Sequence, residues 1–351
     1  MTAPIPWEKK LINGSRSALK SMRKRIVQRG KGYSPLPIKD GLNPTRARVP
    51  ADFGPAPTAW DFVWHLISTQ RHRHPDDGPA ALQDRFASGS IVLADATPLS
   101  PHSILTPGTD VYFYRTPAPE EPVPYDIPVL YEDEDILVAD KPPFMATMPR
   151  ASHIVETATV RLRRATGIDE LSPVHRLDRL TSGVLLFTKH RAVRGAYQTL
   201  FSQRRVHKTY QAIAAYGPFD TPLQWESRIE KSPGEIQGRL VDGPINAITT
   251  LGSVTPLSAS EQNTFEAIHG PQPPLARYVL HPATGKTHQL RLHMWCAGVP
   301  ILGDPVYPTI LPAEDEDMTI PMHLLAKRIE FADPLSGQPR AFVSNGDWSQ
   351  P

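Results

Sequence analysis

The chain has 351 residues, 40% of them hydrophobic, and a formal net charge of +2. This length makes about two domains the prior expectation. Its one cysteine, Cys296, excludes an internal disulfide and fits a reducing compartment. No apolar run reaches the roughly eighteen residues of a membrane span, so we expect none.

Charge is unevenly distributed along the chain. Residues 1–50 hold twelve Lys and Arg against two acidic residues, a net charge of +10, and the remainder carries −8. A basic head on an acidic body favours an anionic polymer, most simply nucleic acid, as a partner. A solvated tail that aids solubility explains the same charge equally well. The charged segment MTAPIPWEKKLING lacks the apolar core of a secretory signal, so we expect a cytoplasmic protein.

Proline-rich stretches predict the domain boundaries. Residues 36–60 and 116–128 are rich in proline and poor in periodic apolar residues, which is typical of linkers. Between them the pattern predicts a helix in TAWDFVWHLISTQ after the N-cap Thr58, a helix ending near Gly89, and short strands. We therefore expect a basic tail and linker at 1–57, a small module at 58–116, a linker at 117–128 and a large domain at 129–351.

The large domain has an α+β pattern. PVLYEDEDILVADKPP predicts two strands around an acidic turn, and GVLLFTK (183–189) predicts a central strand. Strands are also predicted at HKTYQAIAAYG and ARYVLHP, and a closing strand pair at RIEF and RAFV. HQLRLHMWCAG (288–298) predicts a helix that ends at Gly298. Five apolar residues at helical spacing predict a further, amphipathic helix: Val193, Ala196, Tyr197, Leu200 and Phe201.

The stretch VHRLDRLTSG, residues 174–183, places charges directly before the predicted central strand. Asp178 lies between Arg176 and Arg179, and neighbouring cations keep a carboxylate ionised and available as a nucleophile or base. A turn aspartate that binds backbone amides is the commoner role next to Thr-Ser-Gly. No second carboxylate stands out, so a glycosidase-type pair is not predicted.

Two further positions have more than one interpretation. Lys286, His288 and Arg291 cluster at the N-terminus of the helix at 288, where cations oppose the helix dipole. This placement favours an anion opposite them, either a phosphate or a carboxylate, but a solvent-facing arginine is the alternative. Tyr210 follows two basic residues and is either a stacking platform for an unpaired base or a half-buried strand residue.

Metal and nucleotide chemistry have weaker support. His288 and His293 are five residues apart, whereas helical metal pairs usually lie four apart. A metal-dependent hydrolase that uses His175, Asp178 and His288 is nevertheless a rival hypothesis. Neither a GxxxxGK[ST] loop nor a credible GxGxxG turn is present, so NTP-driven or dinucleotide chemistry is not expected.

Ordered motifs across residues 129–345 resemble the RluA-type pseudouridine synthases. HRLDRLTSGVLLFTK resembles the family's H-R-L-D signature, and VHKTYQAI (206–213) resembles its K-x-Y-x-A segment. HPATGKTHQLRLHMWCAGVPILGDPVY (281–307) is similar to the T-G-[RK]-x-H-Q-[IL]-R-x-H segment with its G-D-x-x-Y tail. Residues 131–149 and 323–337 resemble the opening strand pair with its K-P turn and the closing strand. Residues 80–115 weakly resemble the alpha-L RNA-binding motif.

The resemblance implies a mixed, largely antiparallel sheet with flanking helices and a central cleft. It implies a monomer that isomerises uridine to pseudouridine in structured RNA, either 23S rRNA or tRNA, without metal or cofactor. Asp178 would attack the nucleotide at C6 or C1′, Tyr210 would stack on the base, and Arg291 would pair with Asp178. The basic head would contact RNA phosphates. The residues expected to contact RNA are His175, Arg176, Thr181, Ser182, Gly183, Lys208, Lys286, His288, Gln289 and Leu292.

The sequence departs from the family pattern at two positions and leaves one functional alternative. Phe144 stands where the family usually has Gly in the K-P turn, and Lys286 replaces the commoner Arg, which loses a bidentate contact. A non-catalytic RNA-binding protein that kept the fold is the second hypothesis, against which the intact Asp178, Tyr210 and Arg291 argue. Residues 230–275 are expected to form a variable hairpin region.

Overall fold

The structure is a computed structural model and describes residues 34–232 and 234–346. The chain divides into two compact units, of which the first ends at Glu120 and the second begins at Glu121. Most of the predicted basic head, residues 1–33, and the end of the predicted catalytic domain, 347–351, lie outside the described residues. No helix within the described ranges is long and apolar enough to cross a bilayer.

The first unit consists of a small antiparallel sheet and two helices around one apolar core. Its elements are β1 (Thr45–Arg48), α1 (Ala59–Ser68), α2 (Pro79–Ala87), β2 (Ile91–Leu93) and β3 (Asp110–Phe113). The sheet order is β1–β3–β2. Both predicted helices are confirmed, and the hydroxyl of Thr58 accepts a hydrogen bond from the Asp61 N–H at 3.1 Å, as expected of an N-cap.

The linker prediction for residues 36–60 is wrong in part. β1 pairs with β3 along its whole length, and Val49 and Phe53 are buried in the core of the first unit. Proline content misled the prediction because prolines flank this strand without interrupting it: Pro44 lies just before β1 and Pro50 just after it.

The second unit is built on a ten-stranded mixed sheet, and two more strands form a separate ribbon. The strands are β4 (Val129–Glu132), β5 (Ile136–Lys141), β6 (Ser172–Pro173), β7 (Ser182–Thr188), β8 (His207–Ala215), β9 (Leu223–Ser227), β10 (Ile229–Glu230), β11 (Arg239–Leu240), β12 (Ala247–Pro256), β13 (Leu275–Pro282), β14 (Leu324–Ala332) and β15 (Pro339–Val343). The helices are α3 (Ala158–Thr166), α4 (Arg191–Ser202), α5 (Ala259–His269) and α6 (Gln289–Cys296).

The main path of the sheet runs β4–β5–β7–β14–β8–β13–β12–β9, with β15 beside β14 and β6 beside β7. Among the described pairings β7–β14 is parallel and the others are antiparallel. The prediction of a mixed, largely antiparallel sheet is therefore confirmed. The ribbon pairs β10 with β11 and lies outside this sheet.

β7 occupies the interior position that its sequence predicts. Leu185 and Phe187 face one core cluster, and Val184 and Leu186 face another, so both faces of the strand are buried. A strand that is covered on both faces needs apolar residues at every position, which explains the continuous run VLLF. α4 is also confirmed, with Tyr197 and Leu200 buried against the second of these clusters.

Two helices of the second unit were not predicted. α5 lies inside the region 230–275 that had been assigned only to a variable hairpin. It begins with a capping box in which the Ser258 hydroxyl accepts from the Glu261 N–H and the Glu261 carboxylate accepts from the Ser258 N–H. The S-x-x-E spacing of this box was therefore an available signal. α3 is capped at its start by Thr157 and followed by the left-handed Gly167.

Candidate active site

Asp178 lies in the turn that joins β6 to β7, and buried residues anchor this turn on both sides. Leu177 and Leu180 are buried in the main core, and the Asp178 carbonyl accepts from the Thr181 N–H at 3.1 Å. The hydroxyl of Thr147 donates to the Leu177 carbonyl at 2.9 Å and accepts from its N–H at 3.1 Å. The backbone that carries the Asp178 side chain is therefore held by the core and by a neighbouring loop.

The carboxylate of Asp178 is half-buried, and it forms no hydrogen bond or ion pair with any residue that the structure describes. The alternative of a turn aspartate that caps backbone amides is therefore not observed. Instead its charge acts over a longer range on five groups of the second unit: Lys141, Tyr210, Lys231, Arg291 and Tyr307. A carboxylate that is accessible, unpaired and set among cations is suited to meet a substrate.

Lys141 connects the K-P turn to the turn of Asp178. Its buried ammonium group donates to the carbonyls of Pro142 at 2.7 Å, Met145 at 2.8 Å and Arg179 at 3.1 Å. All three donors of the ammonium are thus used. Burial lowers the pKa of Lys141 to about 7, against the opposing effect of the Asp178 charge. This lysine belongs to the K-P motif, but no role was predicted for it, although a lysine that ends an apolar strand was an available signal.

Gly183 lets two strands approach next to this turn. Its φ is +110°, and a Cβ atom there would lie 2.4 Å from the carbonyl oxygen of Ala326 in β14. Only glycine fits both the backbone conformation and this close approach. Gly183 is also buried, and it admits β14 beside β7. Its contact with RNA stays a prediction.

Arg291 pairs with Asp304 and not with Asp178, so the predicted direct pair is wrong. The Arg291 Nε lies 2.7 Å from Oδ2 of Asp304, and its Nη2 lies 2.6 Å from Oδ1. Both side chains are nearly inaccessible, at 3% and 1% exposure. The bidentate geometry favours this partner, and Asp304 also accepts from the N–H groups of Val306 and Tyr307. Arg291 still interacts electrostatically with Asp178.

Tyr210 presents its side chain from β8. Its ring is partly buried against the main core, and its hydroxyl has no hydrogen bond among the described residues. Burial and then the charge of Asp178 raise the pKa of Tyr210 well above its usual value. The phenol therefore stays protonated at neutral pH and can supply a ring face or a hydrogen-bond donor, but not a phenolate base.

His288 links α6 to the ribbon. It is the N-cap of α6 with a left-handed φ of +60°, its Nε2 lies 3.4 Å from Lys231 Nζ, and its Nδ1 lies 3.1 Å from the Tyr307 hydroxyl. Because Lys231 can only donate, His288 accepts at Nε2 and carries its proton on Nδ1. Burial, followed by the charge of Arg291, lowers the pKa of His288 to about 3, which agrees with a neutral ring. Lys231 was missed because no motif surrounds it.

Three other expected RNA contacts are side chains that the fold encloses. Leu292 is fully buried, Thr181 is 3% exposed, and Gln289 is 4% exposed. The Gln289 amide donates to the carbonyl of Ile248 at 3.0 Å and accepts from the hydroxyl of Thr284 at 2.7 Å, so it ties the helix to the sheet. The three side chains are enclosed in this conformation, and their contact with RNA stays a prediction.

The ring of His175 makes its contacts within the fold. Its ring stacks on Phe201 with centroids 4.6 Å apart, and its Nε2 accepts from the Leu186 N–H at 3.2 Å. Burial and the charge of Lys208 lower the pKa of His175 to about 3. This geometry favours a packing role.

The other expected RNA contacts differ in exposure. Ser182 is half-buried, with its hydroxyl 3.4 Å from the Leu324 carbonyl. Lys208 donates to the carbonyl of Thr284 at 3.1 Å, and burial lowers its pKa to about 8. Arg176 and Lys286 are exposed to solvent. For these four, contact with RNA stays a prediction.

The rival metal site has no ligand set in the described part of the chain. Within residues 34–232 and 234–346, no three His, Cys, Asp or Glu side chains come close enough together to hold a metal ion. His175 and His288 instead use ring nitrogens for the contacts described above.

A family profile and the relatives by sequence agree on one family. A profile of the RNA pseudouridylate synthase family matches residues 135–295. The chain is 28% identical over 239 residues to an uncharacterized RNA pseudouridine synthase of Synechocystis sp., a match that covers 68% of this chain and 77% of that protein. It is 28% identical over 234 residues to the dual-specificity RNA pseudouridine synthase RluA of Haemophilus influenzae, which covers 64% of this chain and 95% of that protein. The solved structure of human RNA pseudouridylate synthase domain containing 1 is 24% identical, with a TM-score of 0.47, and covers 65% of this chain and 86% of that chain.

Proposed function

The chain belongs to the RluA-type pseudouridine synthase family, and from this premise we propose that it isomerises specific uridines of structured RNA through Asp178 without a cofactor. The observation that carries the proposal is the Asp178 carboxylate, which is unpaired among the described residues and interacts with the charges of Lys141 and Arg291. The hydroxyl and ring of Tyr210 complete the site.

The reaction needs few groups from the protein. The bond between N1 and C1′ breaks, the uracil turns, and a bond between C5 and C1′ forms. One proton leaves C5 and one is gained at N1, so no atom or electron is exchanged with a co-reactant. An isomerisation of this kind requires neither an oxidant nor an activated donor, which supports a cofactor-independent site.

Asp178 is the nucleophile in this proposal and attacks either C6 of the base or C1′ of the sugar. The target base must leave its stack, because a base inside a helix hides both atoms. The Tyr210 ring offers a face for the extruded base, and its raised pKa keeps the hydroxyl protonated, so that it can donate a hydrogen bond. Arg291, held by Asp304, contributes fixed positive charge near the carboxylate without competing for its lone pairs.

The RNA targets proposed are 23S rRNA and tRNA. Two supports are the exposed cations Arg176 and Lys286 and the basic residues 1–50, because structured RNA is held largely through its phosphates. The relative in Haemophilus influenzae is described as dual-specificity, which is compatible with more than one RNA class.

The test uses RNA from a strain that lacks this gene. The RNA is incubated with the wild-type protein, with Asp178→Asn, and with Asp220→Asn, in which an exposed aspartate of the same unit is changed. Pseudouridines are then mapped across all RNA classes. After treatment of the proteins with a chelator, wild type and Asp220→Asn should form pseudouridine at the same positions. Asp178→Asn should form it more slowly, on the order of 10⁴-fold.

Two results would contradict the proposal. Equal product from wild type and Asp178→Asn would remove Asp178 from the chemistry. RNA binding by the wild type with no pseudouridine in any RNA would instead support the alternative of a non-catalytic RNA-binding protein that kept the fold.

A further inference from the structure

Lys231 reaches the Asp178 site from a part of the chain in which the sequence shows no motif. It directly follows β10 in the two-stranded ribbon, outside the ten-stranded sheet. Its half-buried ammonium group donates to Nε2 of His288 at 3.4 Å, which fixes it beside the N-cap of α6. Its charge also interacts with those of Asp178 and Arg291. Lys231 therefore belongs to the surroundings of the site, although it is remote in sequence from Asp178.

Positive charge accumulates around Lys231. Burial is the main cause that lowers the pKa of Lys231, and the charges of Arg150, Arg176 and Arg291 lower it further. Asp178 is the carboxylate that opposes them. The charge of Arg176 also acts on His288, the residue that Lys231 contacts. The cluster therefore contains more cations than anions.

Two other cations near Asp178, Arg291 and Arg179, have carboxylate partners, whereas the cations of this cluster have none among the described residues. Arg291 is paired with Asp304, and Arg179 binds Glu316 at 2.8 Å. Within the two described ranges, Lys231, Arg150 and Arg176 form no ion pair. Arg150 and Arg176 are exposed, so a ligand can reach them from solvent.

A phosphate group satisfies the requirements of this cluster. Cations held near one another repel, and an anion that binds between them removes this repulsion and forms charge-assisted hydrogen bonds. A guanidinium group binds phosphate oxygens in a bidentate manner, and a lysine ammonium contributes a point charge. Arg176 lies only two residues from Asp178, so an anion held here lies close to the nucleotide that Asp178 attacks.

We propose that Lys231, Arg150 and Arg176 form a binding site for a phosphodiester group of the RNA next to the target uridine. This site rests on the proposed function, because the phosphate belongs to the same RNA strand as the uridine. Lys231 acts in it as a positioning residue: it holds the backbone, and the bond changes remain with Asp178. The ribbon thereby becomes a part of the substrate-binding surface.

The experiment compares Lys231→Gln and Lys231→Arg with Arg239→Gln. Arg239 lies on the same ribbon, is exposed, and pairs with Glu235 at 3.4 Å, so its loss removes an equal charge that already has a carboxylate partner. The probe is a fluorescently labelled stem-loop RNA that contains a uridine modified by the wild type. Its Kd is measured between about 50 and about 200 mM KCl. Lys231→Gln should weaken binding and lower the salt slope by about one, whereas the other two variants should keep the wild-type slope.

A second arm replaces single phosphates next to the target uridine by neutral methylphosphonates. At one position, the methylphosphonate should weaken binding to the wild type as much as Lys231→Gln weakens binding of the unmodified RNA. Lys231→Gln should bind this modified RNA and the unmodified RNA with the same affinity. Thermal melting of each variant establishes that it is folded.

The outcomes separate the two proposals. The phosphate site is overturned if folded Lys231→Gln keeps the wild-type salt slope. It is also overturned if the affinity losses from Lys231→Gln and from the methylphosphonate are additive at every phosphate tested. Either result leaves the activity of the wild type unaffected. A wild type that forms no pseudouridine in any RNA overturns the proposed function and the phosphate site with it.

Discussion

Arg291 and Asp304 form a bidentate ion pair that is almost completely shielded from solvent, 13 residues apart in the chain. The pair joins α6 to the loop after it, and it leaves Asp178 without a direct partner. A salt bridge to Asp178 would have to be broken before a nucleotide could be attacked. In the observed arrangement the positive charge is held in place, and the carboxylate is available.

The first prediction concerns this pair. Asp304→Asn should lower the free energy of unfolding by about 3–5 kcal/mol, because it leaves the Arg291 charge buried without a counter-charge. The double variant Arg291→Met, Asp304→Asn should recover much of this stability, because it removes both charges, but it should not recover pseudouridine formation. Urea unfolding and product formation measure the two effects. Recovery of activity in the double variant would show that Arg291 has no part in the reaction.

The second prediction concerns Lys141. Lys141→Met should destabilise the second unit by roughly 3 kcal/mol or more, because three carbonyl groups lose their donor. It should also reduce kcat more than it raises KM, since the Arg179 carbonyl next to Asp178 is one of the three. The exposed Lys286→Met should change stability by about 0.5 kcal/mol at most. Equal effects of the two substitutions in urea unfolding would contradict this role.

The third prediction concerns acid. The folded-state pKa of His175 is lowered to about 3 from an ordinary value near 6.5, so between these values the unfolded chain binds a proton that the folded protein does not. His175 therefore contributes stability that is fully present above about pH 6.5 and is lost as the pH falls toward 3. Protonation of Nε2 would place a donor opposite the Leu186 N–H, from which Nε2 now accepts a hydrogen bond.

The substitution His175→Phe keeps a ring against Phe201 and removes the titrating group. Urea unfolding at several pH values between 4.5 and 7 should show about one fewer proton taken up on unfolding than in the wild type. The exposed His207→Gln is the control. The same pH dependence in His175→Phe and the wild type would show that His175 is not held neutral.

The fourth prediction concerns the approach of β7 and β14. Gly183→Ala should destabilise the protein by more than about 2 kcal/mol, because the new Cβ would meet the Ala326 carbonyl and the residue has a positive φ. Gly285→Ala is matched to it, since a Cβ there meets nothing within 4 Å. That control should leave the Tm nearly unchanged or raise it slightly. A Gly183→Ala variant as stable as Gly285→Ala would mean that β14 does not approach as closely as described.

Local patterns were enough to predict the elements that carry the site. The run VLLF predicted β7, because a strand buried on both faces is apolar at each position, and helical spacing predicted α4. The turn of Asp178 was located because charges precede β7. These features depend on residues close together in sequence, where periodicity is informative.

Side-chain partners were harder to predict. Arg291 binds Asp304 because of the path of the loop between them, which no periodic pattern specifies. Gln289 and Leu292 were assigned to RNA as neighbours in a motif, but α6 is buried over most of its surface, and its polar residues bind other parts of the fold. Lys231 was not predicted because it meets His288 only after the ribbon folds back toward α6.

The ribbon of β10 and β11 forms no strand pairing with the ten-stranded sheet, and this separation has an evolutionary consequence. The ribbon can change in length and composition without shifting the register of the strands that hold Asp178 and Tyr210. The proposed phosphate contact of Lys231 and the proposed chemistry of Asp178 can therefore change independently of each other.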